Sequence, residues 1–521
     1  MERFLKSKTI RYILYSLAVM PIFIFRDFTM DNELRYLSIA DEALQNGSIF
    51  TFTNHGLIYA DKPPLYLWIV MLGKSLFGVH SLLFLGLFSF VPALVVIYVM
   101  DQWFKNILSD TELLIGELLL LTSSFFIGPA ILVRMDMLMC MFIVLSLYTF
   151  FRMYNRTAKP RDALLFPLFV FMAIFSKGPL GIIIPLLSTG IFLFIKKEFR
   201  SIVKYWNWKT MAIIGSLCGI WFAGVYVEGG SPFLKNLLYN QTVNRAINSF
   251  RHQEPFYYYF KAIWYSLAPW SLFYIGILAV GLKKKLVSTD LELFFLVIAG
   301  STLTVLSLFS SKLAVYMLPT FPFLVYLSVL WLSKLGAPRW TNFLMIIPAS
   351  ILCLVLPGVI LSQYFDIIVT PLILVGALIL TVSGIFTVRY LTDNRLYQGI
   401  ITMCAGILLA VFTISFTIPN YNYMIGMNEL CNLAKDISSK KGVANYYYCK
   451  LNKADNLDIY LGVKLEKLDM DDLFGKDSPI KKPAILFLYY RSIEQNDSLQ
   501  RFIKGKKIHQ SGNYYCVEIE E

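Results

Sequence analysis

Tyr59-Ala60-Asp61-Lys62-Pro63-Pro64-Leu65 opens an apolar run over 64–78, and the reading of that run decides the arrangement of the whole chain. If it crosses a bilayer, the basic clusters Arg152/Arg156/Lys159/Arg161, Lys196/Lys197/Arg200/Lys204 and Lys283/Lys284/Lys285 fall opposite the basic amino terminus. If it lies along the surface, all of them share one face with Arg3, Lys6, Lys8 and Arg11, as do Lys334/Arg339 and Arg389/Arg395. Basic loop residues collect on the cytoplasmic side of membrane proteins, so the second arrangement is expected. Gly73 and Lys74 interrupt the run. It is also short for a core of about 30 Å, and a lysine-bearing segment suits an interfacial helix.

The remaining apolar runs lie near 12–25, 81–100, 112–128, 133–151, 163–176, 179–195, 210–227, 263–281, 291–309, 313–333, 341–362, 368–388 and 397–417, which makes thirteen expected spans. Composition agrees. The 521 residues are 57% hydrophobic and 16% charged, where a soluble chain carries about a quarter charged. Mean hydropathy is +0.61. The net charge of +13 comes from short loops between apolar runs, so no nucleic-acid partner is expected. Residues 3–25 look like a signal sequence, but Arg26-Asp27-Phe28 stands where a small-residue cleavage site would be, and an uncleaved first span is expected. Cys140, Cys218, Cys353 and Cys404 lie inside apolar runs; Cys431, Cys449 and Cys516 lie in the tail without CxxC spacing, and none of them points to a metal.

This organisation gives a polytopic all-α membrane module over 1–417 and a soluble domain over 418–521, with the amino terminus cytoplasmic and the tail on the opposite face. The tail changes character. Asn428–Lys441 has helical spacing, with Gly442 as a terminator. Val443–Cys449, Lys482–Tyr490 and Tyr514–Ile519 read as strands, and a helix is expected near Ser492–Phe502, together a small α/β domain. Thirteen spans also put 26–80, 129–135, 177–178, 229–262 and 310–312 on the tail's side. One external site assembled from several loops is therefore expected.

Each constellation in these loops has two readings. In 31–46, Leu34, Leu37, Ala40 and Leu44 recur at helical spacing before Gly47. Asp31 and Glu33 there are either a cap and a first-turn acid, or carboxylates held to accept a proton from a hydroxyl. The two prolines after Lys62 fix a rigid turn; Lys62 is either a snorkelling anchor or a phosphate ligand, with Asp61 orienting it or binding a metal. The loop 229–262 carries Arg245, Arg251 and His252, and an arginine fork matches phosphate oxygens. Tyr257–Tyr259 read as an interfacial belt. Arg134-Met135-Asp136, Ser176-Lys177-Gly178-Pro179 and Ser310-Ser311-Lys312 interrupt apolar runs on the same side, as anchors and ion pairs or as a cationic pocket for an anionic headgroup. Asp61 and His252 are the candidate ligands for a divalent metal ion, fewer than the three or four a zinc site needs.

With these residues in place, the chain resembles the polyprenyl-phosphate-sugar glycosyltransferases that include lipid A aminoarabinose transferase and the protein O-mannosyltransferases. The resemblance covers roughly 10–335 in ordered blocks. Glu33-Leu34-Arg35-Tyr36 is similar to the acidic first-loop motif, and Tyr59 to Leu65 to the aromatic-x-acid-Lys-Pro turn. Ser176 to Gly181 is similar to the Lys-Gly motif. Asn244-Arg245 with Arg251 to Tyr258 resembles the large external loop, and Ser311-Lys312-Leu313 through Tyr316 and Pro319 the late lysine motif. Asn32 stands where the family has an aspartate, which leaves the base between Asp31 and Glu33, and Lys312 to Tyr316 lacks the family's glycine and proline.

The resemblance implies a GT-C fold in a bacterial inner membrane, with a cavity facing the periplasm. It implies transfer of a sugar from undecaprenyl phosphate, with inversion, to lipid A, another glycan or protein. Lys62, Arg245, Lys312 and Lys177 would bind the donor phosphate, and Arg35, Tyr59, Arg134, Asp136, Arg251 and Tyr316 would line the cavity. A flippase of lipid-linked sugars remains an alternative, distinguished by charge near the midplane and repeated halves. An O-antigen-ligase-like enzyme, using a diphosphate donor, is another.

Overall fold

The computed structural model describes residues 7–30, 32–238, 253–365, 369–443, 445–474 and 478–520. Among the described residues, nine helices are long and apolar enough to cross a membrane, or up to eleven if each of two bent pairs is one span. The protein is a multi-pass membrane protein. The expected thirteen requires in addition that Asp162–Lys177 and Leu180–Ile195 cross, at 16 residues each. At 1.5 Å per residue these cover only about 24 Å. The run over 64–78 forms Leu65–Phe77, 13 residues, which reaches about 20 Å and falls short of a hydrocarbon core.

Hydropathy misses both bends. The run over 112–128 becomes Asp110–Leu121 and Ser124–Ile131 at 66°, and that over 263–281 becomes Tyr258–Ser266 and Ser271–Lys283 at 119°. A broken helix frees backbone polar groups that lipid cannot satisfy. Here the two breaks serve each other. Ser124 donates its N–H and its hydroxyl to the Ala268 carbonyl, 2.9 Å each. The Trp270 indole N–H donates to Thr122 Oγ1 at 3.0 Å, and Trp270 is fully buried.

The chain forms two compact units. The first, Met1–Phe23, Ala60–Tyr66 and Leu83–Ser415, holds most of the apolar helices. The second comprises Ile24–Tyr59, Leu67–Leu82 and Phe416–Glu521. In it, Glu33–Asn46 is helical and stops at Gly47, whose φ of 69° lets its N–H reach the Ala43 carbonyl. Leu34, Leu37 and Ala40 are buried as their spacing predicts, but Ala43 is buried in place of Leu44, which is 37% exposed. Strands β1 (Phe52–Asn54) and β2 (Leu57–Tyr59) pair antiparallel, Phe52 opposite Tyr59. His55 and Gly56 join them with φ of 54° and 78°, the two-residue turn with both central φ positive that favours glycine.

The tail carries a five-stranded sheet of order β4-β3-β5-β7-β6, formed by β3 (Asn445–Tyr448), β4 (Glu466–Lys467), β5 (Ala484–Tyr489), β6 (Ile508–Ser511) and β7 (Tyr514–Ile519). β3 runs parallel to β4 and β5, while β7 is antiparallel to β5 and β6. The helix Asn428–Lys441 ends at Gly442, φ 66°. The helix expected near Ser492–Phe502 is two, Tyr490–Glu494 and Asp497–Ile503. Asn496 starts the second, its side chain accepting from Ser498 N and Leu499 N.

Candidate functional site

In the first unit, the turn Lys177-Gly178-Pro179 sets the position of an ammonium. Gly178 has φ 98° and donates its N–H to the Ile174 carbonyl, a conformation open to glycine rather than to residues with a Cβ. Gly181 packs so closely that a side chain there would enter the backbone of Ala173 and Ile174. Lys177 is thereby held at the end of Asp162–Lys177, where its ammonium binds Oδ1 of Asp136. Arg134 Nε donates to the other carboxylate oxygen at 2.9 Å. The Lys177 ammonium also lies 4.5 Å from the centre of the Tyr316 ring.

Asp136 is fully buried and begins the helix Asp136–Tyr154. A buried carboxylate needs such partners, and charge of this kind in a membrane protein is usually functional. Lys62 lies 3.8 Å from Asp61. Arg134 and Lys177 thus share the Asp136 carboxylate, with one net positive charge, while Lys62 pairs with Asp61.

The late-motif turn joins the end of the large loop. Gln253 and Ser311 form a β-bridge. The Lys312 side chain is 4% exposed and donates to the carbonyls of Glu254 at 2.8 Å and Phe309, stitching the end of 229–262 to the 310–312 turn. Asp31, Arg245, Arg251 and His252 lie outside the described residues. Among the described residues no three His, Cys, Asp or Glu side chains could hold a metal ion.

In the second unit, Glu33 is 1% exposed. Both its oxygens are taken by the Arg26 guanidinium at 2.7 and 2.8 Å, and the Thr29 N–H donates to one of them at 2.7 Å. Arg26 is a partner that spacing alone does not single out; the only trace is an opposite charge seven positions away. The Arg35 guanidinium lies 5.8 Å from the Tyr36 ring centre and 5.6 Å from that of Tyr59, and donates to Asn32 Oδ1 at 3.3 Å. Asp27, beside Arg26, receives the Tyr460 hydroxyl and the N–H groups of Asn428 and Phe28, at 3.0 and 2.7 Å. Burial nevertheless holds its carboxyl above the usual range.

Residues 61–221 match the family model of dolichyl-phosphate-mannose-protein mannosyltransferases, and Asp61, Lys62, Arg134, Asp136 and Lys177 all fall inside that match. An uncharacterized protein of Aquifex aeolicus is 29% identical over 363 residues, 67% of this chain and 68% of its own length. The undecaprenyl phosphate-alpha-4-amino-4-deoxy-L-arabinose arabinosyl transferase of Edwardsiella ictaluri is 23% identical over 330 residues, 62% of this chain and 58% of the transferase. The crystal structure of ArnT from Cupriavidus metallidurans bound to undecaprenyl phosphate superposes with a TM-score of 0.75 at 17% identity, over 98% of each chain. The chain has the fold of this ArnT. The apo form of the same ArnT gives a TM-score of 0.74, over 98% of this chain and 96% of that one. The sequence match therefore spans a little over half of the arabinosyl transferase, while the fold of ArnT is shared nearly end to end.

Proposed function

We propose that this protein transfers a sugar from a polyprenyl phosphate, undecaprenyl phosphate in bacteria, to an acceptor on the periplasmic face of the inner membrane, with inversion at the anomeric carbon. The observation that carries the reading is the cationic group around Asp136, which lies within the family match. The leaving group is a phosphate monoester, and Lys62 and Lys177 would stabilise its charge as the glycosidic bond breaks. Arg134 would orient Lys177 through Asp136, while Arg245 and Lys312 would add to the phosphate site. Asp31 or Glu33 would take the proton of a hydroxyl acceptor. If the acceptor is an ionised lipid A phosphate, no base is needed and the acid positions it. Asp61 and His252 would be the ligands of any divalent ion. The tail would lie in the periplasm and the amino terminus in the cytoplasm.

The test is the full chain in proteoliposomes with lipid A as acceptor. Mass spectrometry should find transfer from an undecaprenyl-monophosphate sugar. Transfer only from a diphosphate-linked or nucleotide-linked sugar would overturn the reading.

A further inference from the structure

Two tail segments grip the chain on either side of Glu33. On one side, Asp27 N–H donates to Asn422 Oδ1 at 2.9 Å, and Asn422 Nδ2 donates to the Phe25 carbonyl at 2.8 Å. The Asp27 carboxylate takes the Tyr460 hydroxyl and the Asn428 N–H, and a side chain at Gly426 would occupy the place of that carboxylate. Arg26 follows in the chain of contacts: its Nη1 donates to the Asp27 carbonyl at 3.2 Å while it clamps Glu33. On the other side, the Ser38 hydroxyl donates to Asp458 Oδ2 at 3.2 Å and lies 3.3 Å from His55 Nε2. The His55 ring is 3.7 Å from Asp455 and 3.8 Å from Asp458.

All of these residues belong to the second unit. Two groups from the tail thus fix the segment 25–28 and the middle of the helix Glu33–Asn46, and Glu33 and Arg35 lie between them. The Asp458 side chain is only 22% exposed, and a carboxylate so placed needs hydrogen-bonding partners such as the Ser38 hydroxyl.

We propose that the tail is a positioning element for the first-loop helix, with Asp458 and Tyr460 as positioning residues that hold Glu33 and Arg35 in register for transfer. The inference rests on the glycosyl-transfer reading given above. A helix carrying an acceptor-side acid, displaced by a fraction of a residue, slows the chemical step and leaves the donor phosphate site alone.

The experiment compares Asp458→Ala, Asp458→Asn and Tyr460→Phe in full-length protein, reading kcat, donor KM and hydrogen exchange over 33–46. Asp458→Ala and Tyr460→Phe should each lower kcat about ten-fold or more, with donor KM within about two-fold and faster exchange in the helix. Asp458→Asn, which keeps an acceptor for Ser38, should restore most of kcat. An active wild type whose two disruptive variants match it, or whose losses fall in donor KM, would overturn the inference alone. So would an Asp458→Asn variant as slow as Asp458→Ala. A wild type that transfers no sugar would instead sink the glycosyl-transfer reading, and this one with it.

Discussion

The Lys177 ammonium lies over the Tyr316 ring, 4.5 Å from its centre, while it also binds Asp136. The ring thus faces a cation whose carboxylate partner is Asp136. The ring contact contributes about 1 kcal/mol, which corresponds to roughly five-fold in a binding or rate constant. Tyr316→Leu should therefore lower kcat/KM for donor about five-fold, and Tyr316→Phe should change it little. Steady-state kinetics in proteoliposomes checks both.

Removing Asp136 strands two cations. Asp136→Ala leaves Lys177 and Arg134 without the carboxylate that both bind, and breaking a buried pair in this way costs about 3–5 kcal/mol. The variant should give little folded protein in detergent, judged by gel filtration and thermal melting. Asp136→Leu combined with Lys177→Met removes the charge mismatch and should recover the fold. Transfer should stay low, because the proposed phosphate site then lacks the Lys177 ammonium.

Gly181→Ala tests the turn that presents Lys177. The added methyl would enter main-chain atoms of Ala173 and Ile174, which cannot swing aside as a side chain can. Overpacking of this kind costs about 1–3 kcal/mol. The expected result is a lower melting temperature together with weaker donor binding, since both helices flanking Lys177 must shift. Gly215→Ala, where a methyl would meet open space, is the control and should melt like the wild type.

Glu42 gives a pH dependence with a definite sign. Burial pushes its carboxyl upward, but hydrogen bonds from the Thr53 hydroxyl and the N–H groups of Gly56 and His55 outweigh that and hold it below the usual range. A carboxyl lowered on folding contributes stability that is present above its unfolded pKa and lost as pH falls through the folded value. Hairpin β1–β2 should thus loosen on acidification below about pH 4.5, the ordinary glutamate range. Hydrogen exchange over 52–59 should rise there in the wild type. In Glu42→Gln it should already be high at neutral pH and change little on acidification.

Local chemistry makes much of this architecture legible in the sequence. Gly47 and Gly442 stop their helices with positive φ, as glycines after periodic apolar runs should. Strand β7 matches its expected bounds, Tyr514–Ile519, because alternation and aromatic content are strong there. The edges were silent: β4 has two exposed residues and β6 exposes Ile508 and Gln510, so neither carries a burial pattern. The two bent spans read as straight ones, since hydropathy counts apolar residues and is blind to hydroxyl and indole groups that bond across a break. At the candidate site, Arg134, Asp136 and Lys177 each read as an anchor or an ion pair, and only the fold shows that they share one carboxylate. The bond between Arg26 and Glu33 was not legible, because pairing at a separation of seven depends on how 27–32 turns back.

The central proposal is that the Lys62 and Lys177 ammonium groups grip the carrier's monophosphate. The most direct test measures transfer from an undecaprenyl-monophosphate sugar by wild type, Lys62→Ala and Lys62→Ala/Lys177→Met in proteoliposomes, with folding checked by thermal melting. The account predicts a loss of at least about ten-fold in kcat/KM for the single variant and about a hundred-fold or more for the double, as expected when charge stabilisation in a low-dielectric site is removed. A folded double variant that transfers within two-fold of the wild-type rate would contradict it.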